Sequence, residues 1–352
     1  MVTSDQVAQL AGVSRATVSR VLNGAPNVSE ETKKRIYAAI ATLGYEANIF
    51  ARASQNRSQT IALALFGSRD GLNLSRLTDT QCYFYLELLR VIERELEQEN
   101  YDLLLPARPY TKFGPIDDPE TNYILNLQAK GVAGVITLAL SSNDPRIQGL
   151  CRSSMPAVFI DSIFQGKYAT YVKSDYRDAA REATDYLLAL GHKRIASFPG
   201  DPMAVTGTER LMGYQQAMAS AGLIMDPHLV RQSGWESKDA YQAALALLSE
   251  RQDFTAIVAG SDMMAFGILR ALRQYGLRVP EDVSVIGFDG IDPSEDADPP
   301  LTTIQQNKQA LGQGAVARLL HMIKGAEAPA PLIVPAQLIV RASTGPVPHR
   351  SI

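Results

Sequence analysis

The sequence predicts a small all-α domain of helix-turn-helix type followed by an α/β core of two doubly wound parallel-sheet subdomains. Three observations carry this. The first 44 residues place apolar side chains at helical spacing between capping residues and glycines. From Thr60 onward, short apolar strands alternate with helical stretches, the pattern of parallel sheets covered by helices. That alternation runs for about 290 residues, more than one doubly wound unit holds.

The head reads as three helices, over 2–12, 14–23 and 29–44, and a tether over 45–57. Thr3 caps the first helix, with Gln6 completing a capping box. Val7, Leu10 and Ala11 give it one buried stripe, and Gly12 takes the tight turn. Ser14 caps the second helix. There Val18, Val21 and Leu22 face the core, while Arg15, Ala16, Thr17, Ser19 and Arg20 face outward. Ser29 caps the third, Glu30 and Glu31 suit its positive N-terminal end, and Ile36, Ile40 and Leu43 supply its stripe. The run from Val7 to Gly24 is therefore a helix-turn-helix, a motif that lays one helix in a DNA major groove.

The chain of 352 residues implies two or three domains, and its 46% hydrophobic content is that of a globular protein. No apolar run is long enough to cross a membrane, and no secretory signal opens the chain. Cys82 and Cys151 read as reduced thiols of a cytoplasmic protein. Residues 1–57 carry seven basic groups against four acids, yet the whole chain is at −3. A basic head on an acidic body fits phosphate binding at one end only.

In the body, strands are expected over 61–66, 102–105, 132–140, 157–161, 195–198, 256–259 and 283–288. Helices are expected over 84–99, 176–190, 210–221, 237–250 and 263–275. Ligands of such folds bind at the carboxyl ends of strands, so a cleft between two such units is the default small-molecule site.

Specific runs carry a resemblance that covers nearly the whole chain. In the head they are Val7-Ala8, Val18-Ser19-Arg20-Val21-Leu22-Asn23-Gly24, Val28-Ser29, Thr32, Leu43-Gly44-Tyr45, Asn48 and Ala51-Arg52. In the body they are Leu190-Gly191-His192-Lys193-Arg194-Ile195, Arg210-Leu211-Met212-Gly213-Tyr214, the stretch 279–289 and Pro299-Pro300-Leu301-Thr302-Thr303-Ile304. The chain resembles the LacI family of transcription regulators. The resemblance implies a DNA-binding domain over 1–46, a hinge over 47–59 and an effector-binding and dimerisation core over 60–352. The core would resemble a periplasmic sugar-binding protein with three crossovers, subdomain 1 taking 60–164 and 293–323, subdomain 2 taking 165–292 and 324–345.

The same resemblance implies roles for single residues. Arg15, Ala16 and Arg20 match base-reading positions, where an arginine fork suits guanine O6 and N7. Thr3, Ser14, Thr17, Ser19, Asn23, Ser29 and Thr32 match backbone-holding positions, and for Ser14 helix capping is an equal alternative. Asn48, Ala51, Arg52 and Ser54 match the hinge. Ala47 stands where members usually have proline, and Ser54 where they usually carry the leucine that wedges the minor groove. The implication is a weaker DNA bend, unless the register slips by a residue.

Tyr83, Phe84, Asp161, Arg210, Trp235, Ser261, Asp289 and Gln305 match effector contacts, a set whose carboxylates, guanidinium and indole suit a polyol. Ser261 replaces the usual asparagine. The segment 67–81 is longer than in the family and is read as a loop beside the cleft mouth, either a lid or a surface insertion.

Other chemistry is weak. The glycines of 312–317 sit in a helical pattern, no phosphate loop occurs, and the four histidines lack metal-ligand spacing. Neither a cofactor nor a metal is expected. A secreted sugar-binding protein would lack the basic head. A sugar-modifying enzyme would need a nucleophile, base or cofactor loop, and none is evident. The expectation is a cytoplasmic, homodimeric repressor of carbohydrate uptake or catabolism genes. It would bind a palindromic operator and answer to a sugar or sugar derivative, and it would not be an enzyme. The tail 344–352 has no leucine heptad, which argues against a coiled-coil tetramer.

Overall fold

The computed structural model describes residues 3–22, 28–43, 59–65, 83–105, 119–138 and 145–348. Asn23, the hinge residues Asn48, Ala51, Arg52 and Ser54, Cys82 and the 67–81 insertion lie outside the described residues.

The head forms α1 (Ser4–Ala11), α2 (Arg15–Leu22) and α3 (Glu30–Leu43). Its ends are set by local chemistry. Thr3 Oγ1 accepts from the Gln6 amide at 3.4 Å, and Gln6 Oε1 accepts from the Thr3 amide at 2.8 Å. Gly12 takes φ +64°, which a side chain would strain. Ser14 Oγ accepts from the Thr17 amide at 3.1 Å, and Ser29 Oγ from the Thr32 amide at 3.3 Å. Val7, Ala8, Ala11, Val18, Val21, Ile36, Ala39 and Ile40 pack into one small core. Leu10 departs from expectation. It is 53% exposed, because Ala8 rather than Leu10 shares the buried face with Val7 and Ala11.

The body contains β1 (Thr60–Leu65), α4 (Tyr83–Gln98), β2 (Asp102–Leu104), α5 (Pro119–Ala129), β3 (Val132–Leu138), α6 (Pro145–Arg152), β4 (Ala157–Ile160) and β5 (Ala169–Ser174). It continues with α7 (Tyr176–Ala189), β6 (Ile195–Phe198), α8 (Val205–Ser220), α9 (Ser237–Glu250), β7 (Ala256–Ala259), α10 (Asp262–Gln274) and β8 (Ser284–Asp289). The last elements are β9 (Thr302–Gln306), α11 (Lys308–Ile323), β10 (Leu332–Val334) and β11 (Ala336–Ile339). One sheet has the order β10-β5-β4-β3-β1-β2, the other β11-β9-β8-β7-β6. Within the second sheet β6 to β9 pair in parallel, and β11 pairs antiparallel with β9.

Alternation along the strands explains why the second sheet is covered on both faces. On β7, Ala256 and Val258 join the core that holds Tyr176, Tyr214 and Phe288. Ile257 and Ala259 join the opposite core, built on Phe198, Leu247, Met264 and Ile268. Such strands read as continuous apolar runs. In the first sheet, Ala62, Val135, Ala157 and Phe159 pack with Leu127, Ile147 and Leu150 of α5 and α6.

The described residues pack as two compact units. The first holds the head, β1, the last turns of α4, β2 to β4, and the end of α11. The second holds the start of α4, the elements from α7 to β9, the start of α11 and the C-terminal strands. Residues 293–314 thus pack with the second unit, where the sequence expectation grouped them with 60–164. Strands β5 and β9 and helices α5 and α6 were not foreseen, and α8 begins five residues early. Polar residues hide the two strands: Thr170, Lys173, Ser174, Thr302, Thr303 and Gln306 are all buried. No helix among the described residues is long and apolar enough to cross a membrane. Burial raises the Cys151 thiol to about 11, which leaves it a poor nucleophile.

The C-terminal segment is stitched to the second sheet. Ser343 Oγ donates to the Val285 carbonyl at 2.6 Å, and the Val347 amide donates to the Leu190 carbonyl at 3.0 Å. His192, fully buried, holds the same segment. Its Nε2 lies 3.0 Å from the Gly345 carbonyl and its Nδ1 2.9 Å from Thr255 Oγ1. A carbonyl only accepts, so Nε2 carries the proton and Nδ1 accepts from Thr255 in the neutral ring. Burial holds the His192 pKa below its ordinary 6.5, so protonation favours the unfolded chain. This contribution is fully present above pH 6.5 and is lost as pH falls through 6.5 toward the folded-state value. Melting temperatures recorded from pH 7.5 to 5.0 should therefore fall more steeply for the native chain than for His192→Gln. Equal slopes would remove His192 from the account.

Candidate functional site

Two faces bring together residues that the sequence singled out. The first is on the head. Arg15, Ala16 and Arg20 are exposed on α2, with Thr17 and Ser19 half-buried beside them. The stripe of Val18 and Val21 turns inward, so helical geometry turns the two arginines outward together. Arg15 lies 3.7 Å from Asp5, and both side chains are about two-thirds exposed, so solvent screening makes the pair weak and easily exchanged for another partner. Thr3, Ser14 and Ser29 are exposed at helix starts, and Thr32 is half-buried. Ser14 and Ser29 already cap their helices, so the structure shows one of their two readings in place.

The second face lies in the second unit, where α8, β8 and β9 meet. Arg210 is 6% exposed and enclosed by aromatic rings. Its guanidinium carbon stands 4.2 Å from the Phe288 centroid, 4.5 Å from that of Tyr176 and 5.1 Å from that of Trp235. Cation–π attraction holds the charge there without consuming its N–H groups. Nη2 reaches Asp289 Oδ1 at 3.8 Å, while Nε and Nη1 are buried with no hydrogen-bond partner in the protein. A buried donor left unmatched costs about 1–3 kcal/mol. Two such donors on one guanidinium suit a ligand oxygen.

Asp289 ends β8 at φ +113°, a conformation that strains a residue with a side chain. Gln306 holds it: Gln306 Nε2 donates to Asp289 Oδ1 at 2.7 Å. Gln306 Oε1 in turn accepts from Ser174 Oγ at 2.6 Å and from the Tyr176 hydroxyl at 3.2 Å. Lys173 pairs with Glu209 at 2.5 Å, so that charge is matched within the unit. Asp262 is fully buried behind Asp289. Burial, and then the charge of Asp289, push its carboxyl well above the usual range.

Trp235 is half-buried against Gly200, where any Cβ would come within 2.3 Å of the indole. Gly200 also has φ +96°, so the site keeps glycine for two reasons. Ser261 spends its hydroxyl on the cap of α10, accepting from the Met264 amide at 3.0 Å. Phe84 is buried edge-on to Tyr85 at the start of α4, and Tyr83 is 43% exposed. Asp161 follows β4 at φ +63° in the first unit.

Among the expected effector contacts, Arg210, Trp235 and Asp289 are therefore brought together. Gln305 is exposed, and its neighbour Gln306 reaches Asp289 instead. Tyr176, Phe288, Ser174 and Gln306 were missed. The two aromatic residues fall at the ends of an expected helix and an expected strand, and the period-two alternation that separates Gln306 from Gln305 is legible only once β9 is known to be a strand. No group of three or more possible metal ligands occurs among the described residues.

Comparison with known proteins places this architecture. Residues 3–48 match the family described as bacterial regulatory proteins, lacI family, and residues 184–344 match a periplasmic binding protein-like domain. The HTH-type transcriptional regulator CelR of Thermobifida fusca is 33% identical over 97% of this chain and 98% of its own length. A solved structure of a CelR–cellobiose complex superposes with a TM-score of 0.72 at 32% identity, covering 97% of this chain and all of the other. The lac repressor dimer bound to operator and an anti-inducer gives 0.66 at 28% identity, covering 98% and 99%. The chain belongs to the LacI family. It is a DNA-binding transcriptional regulator, not an enzyme.

Replacing Gln306 by leucine keeps the volume but leaves Ser174, Tyr176 and Asp289 each without its central partner. The expected cost is about 1–3 kcal/mol of unfolding free energy in urea titrations. A variant as stable as the native chain would show that Gln306 does not hold the site.

Proposed function

We propose that this protein is a homodimeric repressor of carbohydrate uptake or catabolism genes, whose hold on a palindromic operator is switched by a sugar or sugar derivative. The observation that carries the effector part is Arg210, caged by three aromatic rings with two N–H groups unmatched beside Asp289. Aromatic faces suit the C–H surface of a sugar ring, and a guanidinium beside a carboxylate serves hydroxyl oxygens and hydroxyl protons respectively. The cation and anion face each other, which favours a neutral ligand over a phosphate or an acid. The cellobiose named with the CelR structure supports the same class.

In this reading residues 1–46 form the DNA-binding domain, 47–59 the hinge and 60–352 the core for effector and dimer. Arg15 and Arg20 read bases, Ala16 contacts an apolar base edge, and the threonines and serines around them hold phosphates. Two heads on one dimer need a two-fold site. The effector shifts operator affinity by binding one arrangement of the core better than the other.

The operator can be selected from random duplexes with the full chain. A two-fold site should emerge, and Arg20→Ala should bind it about 10- to 100-fold more weakly, the loss expected for one bidentate base contact. Recovery of asymmetric or sequence-indifferent DNA would overturn the operator reading. The effector can be sought through Trp235, the only tryptophan, by fluorescence titration with neutral mono- and disaccharides, sugar acids and sugar phosphates. A neutral sugar should give a saturable change that Arg210→Met abolishes while operator binding persists. A response confined to phosphates or acids would contradict the charge argument.

A further inference from the structure

The chain that leaves Asp289 is clamped by four side chains from four separate elements. Thr303 Oγ1 on β9 accepts from the Gly290 amide at 3.4 Å. Asp262 Oδ2 on α10 accepts from the Ile291 amide at 2.9 Å. Lys308 Nζ on α11 donates to the Gly290 carbonyl at 2.6 Å, and Glu87 Oε1 on α4 accepts from the Asp292 amide at 3.1 Å. The last two then meet each other, Lys308 Nζ lying 2.6 Å from Glu87 Oε2, with side chains only 13% and 15% exposed.

Glu87 and Lys308 differ from the other two clamps in what they are attached to. Helices α4 and α11 are each shared between the two compact units: residues to 92 and to 314 pack with the second, the later turns with the first. Asp289 is a residue the effector reading uses, so displacement of residues 290–292 reaches both shared helices through one ion pair. Breaking a mostly buried pair leaves a charge with poor solvation, which makes the alternatives discrete rather than gradual. A buried pair is weak evidence for stability as such, so a role in position is the better account of it.

We propose that the Lys308–Glu87 pair is a positioning latch that couples the 289–292 segment to helices α4 and α11. The link to an effector rests on the reading of Arg210 and Asp289 given above. The coupling itself is testable without any ligand.

Backbone hydrogen exchange by mass spectrometry on the full chain is the test, with Glu87→Gln, Lys308→Met, the double variant and Lys308→Arg. A latch predicts that each of the first two speeds exchange about tenfold or more both in 290–292 and in the first turns of α4. The double variant should add little, and Lys308→Arg, which keeps a cation and its donors, should stay near the native rates. Faster exchange confined to the segment that carries the substitution, or additive effects, would overturn the proposal. So would a uniform acceleration that includes α7, because that reports general loss of stability. A compound that changes Trp235 fluorescence should also slow exchange at the start of α4 in the native chain, but not in Lys308→Met. If no compound acts on Trp235, the effector reading fails while the exchange data still decide the latch.

Discussion

The Asp289 carboxylate at the end of β8 is the point on which the second unit's chemistry turns. Its backbone is held at a positive φ, and its side chain takes a hydrogen bond from Gln306 and faces Arg210. Those demands require two neighbouring strands in correct register, because Asp289 lies opposite Gln305 and Gln306 follows it directly. The aromatic rings around Arg210 come from α7, β8 and the segment before α9, so the guanidinium is positioned by packing rather than by hydrogen bonds. That leaves its donors available, which a conventional salt-bridged arginine would not.

The head solves a different problem with different means. It buries only a small core, and its short helices also depend on caps: Thr3 with Gln6, Ser14 with Thr17, Ser29 with Thr32. Isolated helices of eight residues are unstable in water, so the shared core of Val7, Val18, Val21, Ile36 and Ile40 must hold them. Once those residues turn inward, Arg15 and Arg20 have only the solvent side of α2 to occupy. The outward placement of both arginines therefore follows from the same periodicity that makes the core.

The sequence made the head nearly fully legible, because its signals are local. Helix caps, a glycine at positive φ and an apolar stripe each act over one or two turns, and the helices match the expected ones within two residues. Leu10 is the exception, since whether a stripe includes one more apolar residue depends on the partner helices. Strands with continuous apolar runs, such as β7 and β8, were equally clear. Strands β5 and β9 were not, because threonine, lysine and glutamine dominate them and their burial is provided by distant partners.

The candidate site divides along the same line. Sequence alone determined the helix-turn-helix and the basic head, since capping, periodicity and charge are properties of the chain itself, and the family resemblance singled out Arg210, Trp235 and Asp289. Tertiary structure decided that Gln306 rather than Gln305 holds Asp289, that Tyr176 and Phe288 enclose Arg210, and that Glu87 meets a loop some two hundred residues away. Strand register and the approach of remote elements set these contacts, and both arise only when the second unit is folded.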